Sequence, residues 1–320
     1  MQYNGNDQEW LAILNPVSGG KKAAKDKGKI LAALDSMNIQ YQLIETEFTG
    51  HAIELTQAAI HKGYRKIMAI GGDGTVNEVL NGIYRQQIVK PIEVAFAFIP
   101  VGTGNDWVRT IGIPTDYQGA AKTIKTGNYF FQDVGVAEFY NEGKLQKHYF
   151  ANIAGLGYDA FVANYTNKKS MGGKNKGKFT YLLNMLKCLM KYKPSKVKVT
   201  IDQQTVIEEN IFSMCVSICK YNGNGMMQSP YAVPDDGLLD VTLFHQPSKA
   251  EIMLNTSKLY DGSFVDKNFV SLHQAATVKI EAKPAILLET DGEVIGETPV
   301  EFKLIHHGFK IISNIKNRQI

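Results

Sequence analysis

The chain has 320 residues, 44% of them hydrophobic, with 35 Lys and Arg against 31 Asp and Glu for a net charge of +4. That length and apolar content support a full core divided between two domains, and so small a basic excess gives no footing for nucleic acid. The three cysteines, Cys188, Cys215 and Cys219, form no CxxC pair, which excludes a zinc ribbon or a disulfide framework and reads as reduced thiols packed in a core.

In chain order, Trp10 to Leu14 is a strand-like run that ends in Asn15-Pro16-Val17-Ser18-Gly19-Gly20, ahead of a helical segment around Lys29 to Leu34. Tyr41 to Glu45 reads as the second strand and Ala52 to Ile60 as its helix. Ile67 to Ile70 is a third apolar run, stopped by Gly71 and Gly72. Beyond it Val76, Val79, Leu80 and Ile83 fall at i, i+3, i+4 and i+7, so Gly71 to Thr75 forms a strand-to-helix corner. A helix N-terminus presents unpaired N–H groups and partial positive charge, and glycine lets a phosphate approach the backbone. Asp73 would repel phosphate directly, so it reads as the holder of a cation or water. Taken alone, a GGDG turn is equally an ordinary capped αβ loop. Val94 to Ile99 then leads into a third polar glycine turn, Pro100 to Arg109. Turns after successive parallel strands share one sheet edge, so the three are predicted to meet at one cleft.

After a helix at Tyr117 to Lys125 and a strand starting at Asp133, the αβ alternation stops. Lys196 to Ile201, Ile211 to Ile218, Leu239 to Phe244, Thr277 to Ile280 and Ala285 to Leu288 all read as strands, which sets a domain boundary near Gly135. Asn167 to Lys178 is a basic, glycine-containing loop. It precedes a helical run, Phe179 to Tyr192, whose apolar side is predicted to carry Leu182, Leu183, Leu186, Leu189 and Met190. Such a pair suits an anionic bilayer surface, or equally a solvated loop ahead of a core helix. His306 and His307 are expected to point apart in a strand. No apolar run reaches the ~20 residues of a membrane span, and Met1 to Trp10 lacks a signal-peptide core.

NPVSGG, GGDGTVNEV and PVGTGNDWVR, in that order, resemble the diacylglycerol kinase catalytic domain family, which includes bacterial lipid kinases and sphingosine and ceramide kinases. The resemblance continues through Asp133-Val134-Gly135, Pro234 to Asp240 and Asp291-Gly292-Glu293. It implies an α/β N-terminal domain with a parallel sheet and a glycine-turn nucleotide site, about 8–135. A mainly antiparallel β-sandwich second domain follows, about 136–306, for the lipid substrate, and residues from about 307 to 320 return to the first domain.

The implied activity is transfer of the γ-phosphate of ATP to a hydroxyl of a diacylglycerol-like lipid, giving a phosphatidate-type product, with ATP and Mg²⁺ as cofactors. By the same resemblance Asn15, Thr46, Gly71, Gly72, Asp73, Gly74, Thr75, Asn77, Glu78, Gly102, Thr103, Asn105 and Asp106 belong to the nucleotide site. Asp73 and Asp106 would organise Mg²⁺ at the phosphates, and Glu293 would be the general base. A structural Mg²⁺ would sit on Asp236 and the carbonyls of Val233 and Leu238. Read on its own, Asp291-Gly292-Glu293 is a hairpin turn between Leu287-Leu288 and Val300 to Leu304. Where close relatives carry a lysine after NPxSG this chain has Gly20, leaving Lys21 or Lys22 to neutralise charge, and Arg109 is a further candidate for a phosphate.

Expected partners are a lipid substrate at a membrane surface and a second copy as a homodimer, with no nucleic acid. The expected location is cytoplasmic, peripheral at the inner face of the membrane. A nicotinamide-nucleotide kinase, which shares GGDG, and a catalytically idle nucleotide- or lipid-binding protein stay open as rivals.

Overall fold

The structure, a computed structural model, describes residues 9–102, 104–170 and 178–315. The first elements are β1 (Trp10–Leu14), α1 (Ser18–Ser36), β2 (Tyr41–Glu45), α2 (His51–His61), β3 (Lys66–Gly71), α3 (Asp73–Arg85), β4 (Ala95–Pro100), α4 (Asp106–Ile111) and α5 (Tyr117–Thr126). Next come β5 (Asn128–Asn141), β6 (Lys144–Phe150), β7 (Ile153–Gly157), α6 (Tyr158–Ser170), α7 (Lys178–Lys191), β8 (Ser195–Ile201), β9 (Gln204–Ile211), β10 (Ser213–Ser217) and β11 (Leu239–Phe244). The chain closes with α8 (Lys249–Asn255), β12 (Val270–Ala275), β13 (Thr277–Lys283), β14 (Leu287–Thr290), β15 (Glu293–Glu297) and β16 (Val300–Ser313). It divides into two compact units, 1–133 with 307–320 and 134–306, so β5 and β16 carry the chain from one to the other.

In the first unit the strand order is β2-β1-β3-β4-β16, every pair parallel. β1 and β4 are buried at every residue, and β3 at all but its first. Continuous apolar runs of that kind are what strands covered on both faces require. Phe96, Phe98, Trp107 and Phe309 pack as one aromatic cluster, with ring centroids 4.9 Å apart for Phe96 and Phe309 and 6.0 Å for Phe96 and Trp107. Trp107 donates its Nε1–H to Gln132 Oε1 at 2.9 Å, which satisfies the one polar atom the indole buries. The third glycine turn is thereby tied to the core through the first turn of α4.

The second unit is an antiparallel β-sandwich. One sheet runs β12-β11-β10-β7-β14-β15. The other contains β13-β8-β9, the first part of β16, and the β5–β6 hairpin. β8 alternates buried and exposed positions along most of its length, the period of two expected of a sheet with one wet face.

Three expectations need correction here. The hairpin at Asp291-Gly292 pairs β14 with β15, not with Val300 to Leu304, because Thr298-Pro299 interrupts the chain after Glu297. α7 buries Met185, Cys188 and Leu189, while Leu183 and Met190 face outward, so its inner stripe lies to one side of the predicted one. His307 takes φ +51, a left-handed break in β16, and donates its backbone N–H to Asp133 Oδ1 at 2.7 Å. Regular alternation therefore does not hold at the His306-His307 pair. Most of the basic loop at 167–178 lies outside the described residues.

Candidate active site

Three glycine turns of the first unit converge at the carboxyl ends of β1, β3 and β4. Gly19, Gly20 and Lys21 all have positive φ, at 61°, 69° and 71°, so the first turn is a left-handed loop and the regular part of α1 starts after it. A Cβ on Gly19 would lie 3.2 Å from Gly102 Cα, which is how closely the first and third turns approach. A Cβ on Gly71 would lie 2.3 Å from Thr75 Oγ1 and 3.0 Å from Ser18 Oγ, so the second turn leaves no room for a side chain there.

Polar contacts tie the same turns. Asn15 donates its backbone N–H to Ile70 O at 2.9 Å, and its Nδ2 donates to Thr75 Oγ1 at 3.2 Å. Val101 donates to Gly71 O at 2.5 Å. Asp73, the first residue of α3, accepts the Asp106 N–H at 2.9 Å, and Asn105 precedes that contact in a left-handed conformation, φ +48. The Asp73 carboxylate thus meets the backbone at the start of α4. Two acidic groups at two helix N-termini would draw each other apart unless water, a cation or both stand with them. Arg109 pairs with Asp106 Oδ1 at 3.3 Å, which makes its nearest charge a carboxylate.

Other predicted residues sit further from the turns. Thr46 is buried just past β2, donating its N–H to Leu14 O at 2.9 Å. Glu78 is buried and accepts two backbone N–H groups, Gly50 at 2.8 Å and Ala52 at 3.1 Å. Its carboxylate caps the start of α2, satisfying N–H groups that have no partner inside the helix. Asn77 is buried on α3, where its O and Oδ1 accept from Asn81 Nδ2 at 2.9 and 3.1 Å. Gly72, Gly74, Gly102 and Asn105 lie in the turns themselves, and Thr103 lies outside the described residues.

In the second unit, Asp291 and Gly292 form the two-residue tip of the β14–β15 hairpin with φ of 50° and 89°, both left-handed, as a type I′ turn requires. Asp291 accepts N–H groups from Ala151, Asn152 and Ile153 at 3.3, 3.1 and 3.1 Å, so its role is to clamp the tip to the start of β7. Glu293 is the first residue of β15. Around 233–238, Leu238 donates its N–H to Asp236 Oδ1 at 3.0 Å. The neighbouring Asp240 is buried, its Oδ2 accepts no hydrogen bond among the described residues, and burial first and the Asp236 charge second push its carboxyl up to about 6. Two acids with an unsatisfied buried oxygen are a donor set that fits a hard divalent cation.

Residues 9–137 match the diacylglycerol kinase catalytic domain, and residues 152–313 match the YegS C-terminal NAD kinase beta sandwich-like domain. The fold and the converging glycine turns therefore define a two-domain kinase. The chain belongs to the diacylglycerol kinase catalytic domain family, in the branch that carries the YegS-type second domain. It is 26% identical over 301 residues to a diacylglycerol kinase of Mycobacterium tuberculosis, with 94% of each chain covered. It is 27% identical over 305 residues to a diacylglycerol kinase of Bacillus subtilis, again with 94% of each covered. Among solved structures, a Bacillus anthracis protein described as a "putative diacylglycerol kinase" superposes with a TM-score of 0.76 at 27% identity, over 96% of this chain and 95% of the other.

Sequence reasoning missed Asp159, Asn222 and Glu289. Glu289 and Asp159 are almost wholly buried, and both accept from Asn222 Nδ2, at 3.4 and 3.3 Å. No spacing rule links residues so far apart in the chain. The one local trace was a glutamate in an otherwise apolar strand, Leu287-Leu288-Glu289.

Proposed function

We propose that the protein transfers the γ-phosphate of ATP to a hydroxyl of a diacylglycerol-like lipid. The observation that carries this reading is the Asp73–Asp106 contact, set where three glycine turns approach one another closely at the sheet edge. Phosphoryl transfer depends on cradling the donor phosphates and neutralising their charge. Backbone groups of Gly71 to Thr75 and Gly102 to Asn105 cradle the phosphates in this reading, and Lys21 and Lys22 supply positive charge from the first turn. Mg²⁺, when bound, offsets charge on the phosphates, with Asp73 and Asp106 orienting its waters. Asp236, with the carbonyls of Val233 and Leu238, holds a second, structural ion. Glu293 takes the proton from the acceptor hydroxyl, whose pKa is too high for it to ionise unaided.

The lipid acceptor is supported by an apolar cavity within the second unit, lined by Tyr158, Val162, Met185, Phe212, Met226 and Phe264 among others. Polar groups at its wall are few, Asp159, Ser213, Gln228 and Asn255, the usual balance of a site for an apolar ligand. No helix among the described residues is long and apolar enough to cross a membrane, so this reading has the protein meet its substrate from the membrane surface. The names of the relatives point to diacylglycerol as the acceptor. The test is a kinase assay with labelled ATP against diacylglycerol, monoacylglycerol, phosphatidylglycerol, a sphingoid base and NAD. Labelled phosphatidate from diacylglycerol is the expected product. Label appearing in NAD alone, or in no acceptor, would overturn the reading.

A further inference from the structure

Two buried carboxyl groups in the second unit lie close together. A Cβ on Gly155 would lie 2.5 Å from Asp159 Oδ2 and 2.5 Å from Glu289 Oε1, so the two oxygens sit within about 5 Å of one another across the bare backbone of β7. Both side chains are almost wholly buried, and both accept from Asn222 Nδ2, which also donates to Gln228 Oε1 at 3.4 Å. The second oxygen of Glu289, Oε2, accepts the Gly292 N–H at 2.7 Å. Gly292 immediately precedes Glu293, so one hydrogen bond joins the pair to the residue before the assigned general base.

We propose that Asp159 and Glu289 hold one proton between them and act as a positioning pair for the turn that presents Glu293, a role that rests on the lipid kinase reading. Like charges this close in a dry site cannot both stay ionised, and a single proton on the pair removes the repulsion. Asp291 pushes the same way by adding negative charge beside Glu289, while Tyr158 and Cys215 lie within the field of Asp159 and are themselves raised, first by burial. Only the amides of Asn222 and Gln228 and the Gly292 N–H favour the charged form. With one proton present, Glu289 keeps an oxygen for Gly292. Losing it leaves two buried charges whose repulsion outweighs the stronger Gly292 bond of an ionised Glu289, so the two acids separate and the turn loosens. Gly155 permits the arrangement because any side chain there would stand between the two acids.

Infrared spectra and amide exchange test the pair without reference to activity. At pH 7 the wild type is expected to show a protonated-carboxyl C=O band that is lost in both Asp159→Asn and Glu289→Gln. The protection factor of the Gly292 amide, which removes the base-catalysed rise common to all amides, should fall between pH 7 and 9 in the wild type and be low in Glu289→Ala at all pH values, but hold steady in Glu289→Gln, where the amide carbonyl still accepts from Gly292. In the kinase assay, Glu289→Ala should lower kcat by roughly a hundredfold with KM for ATP unchanged, the scale of a small misplacement. Glu289→Gln should retain turnover and lose the alkaline decline of the wild type. Absence of the band at pH 7, its persistence in both variants, or a Gly292 protection factor insensitive to pH and to Glu289→Ala would overturn the proposal. A failed lipid panel would overturn the kinase reading alone and leave the spectra and exchange standing.

Discussion

Asp73 Oδ2 accepts the backbone N–H of Asp106 at 2.9 Å, joining the start of α3 to the start of α4. The contact fixes the spacing between the second and third glycine turns, and it places one carboxylate where its charge, more than its shape, governs what can bind. Asp73→Asn keeps an oxygen for Asp106 and removes the charge. Turnover is expected to fall on the order of a hundredfold or more, since electrostatic stabilisation of this kind is worth about 3 kcal/mol. Thermal unfolding should stay close to wild type. Activity within a few-fold of wild type would take Asp73 out of the mechanism.

Glu293→Gln separates the acceptor side from the donor side. Removal of a general base should lower kcat by roughly a hundred to ten thousandfold with ATP affinity nearly unchanged. The measurement is initial rate against ATP concentration, with nucleotide binding determined by calorimetry. Weakened ATP binding with intact turnover at saturation would make Glu293 a donor-side ligand.

Glu78 belongs to the architecture of the nucleotide half. Its two bonds to Gly50 and Ala52 are charge-assisted, and deleting them leaves two N–H groups at the start of α2 unsatisfied. Glu78→Ala should therefore cost about 2–4 kcal/mol in urea unfolding, with Glu78→Gln recovering part of it. An unchanged midpoint in Glu78→Ala would mean that water replaces the carboxylate at no loss.

The ion proposed for the loop at 233–238 predicts a metal-dependent stability. Millimolar Mg²⁺ should raise Tm, EDTA should reverse the rise, and Asp236→Ala should abolish it, since a ligand bound only by the native state stabilises that state. Equal Tm with Mg²⁺ and with EDTA would remove the ion from this loop.

The Asp159–Glu289 pair predicts a pH dependence opposite in sign to that of a salt-bridged carboxylate. Burial pushes Asp159 up to about 6, and burial together with Asp159 pushes Glu289 well above its ordinary value. The folded protein then binds more protons than the unfolded chain over this range. The associated stability is complete below the ordinary carboxylate pKa near 4 and is lost as pH rises through 6 and the higher value of Glu289. The double variant Asp159→Asn, Glu289→Gln should gain Tm relative to wild type on moving from pH 6 to pH 8. A Tm difference that is flat over that interval would contradict the paired burial.

Much of the first unit was legible because its signals are local. Apolar runs stopped by glycine, followed by residues at helical spacing, set β1, β3, β4 and the helices after them, and parallel order then put the three turns on one edge. Asp73 could be singled out because a carboxylate in an anion-binding turn contradicts the turn's own chemistry. What local spacing leaves undecided is which partner a polar group meets. Glu78 was read with the motif that contains it, yet the packing of α3 against α2 gives it to the Gly50 and Ala52 amides. The inner face of α7 was set by the cavity residues around Tyr158 and Phe212, and the break at His307 by the backbone bond to Asp133. Glu289 drew no reading from local spacing, and only the antiparallel pairing of β14 with β7 brings it to Asp159 across Gly155. Sequence determines periodicity and turns because these depend on neighbours along the chain, whereas burial, proton sharing and the choice of hydrogen-bond partner depend on neighbours in space.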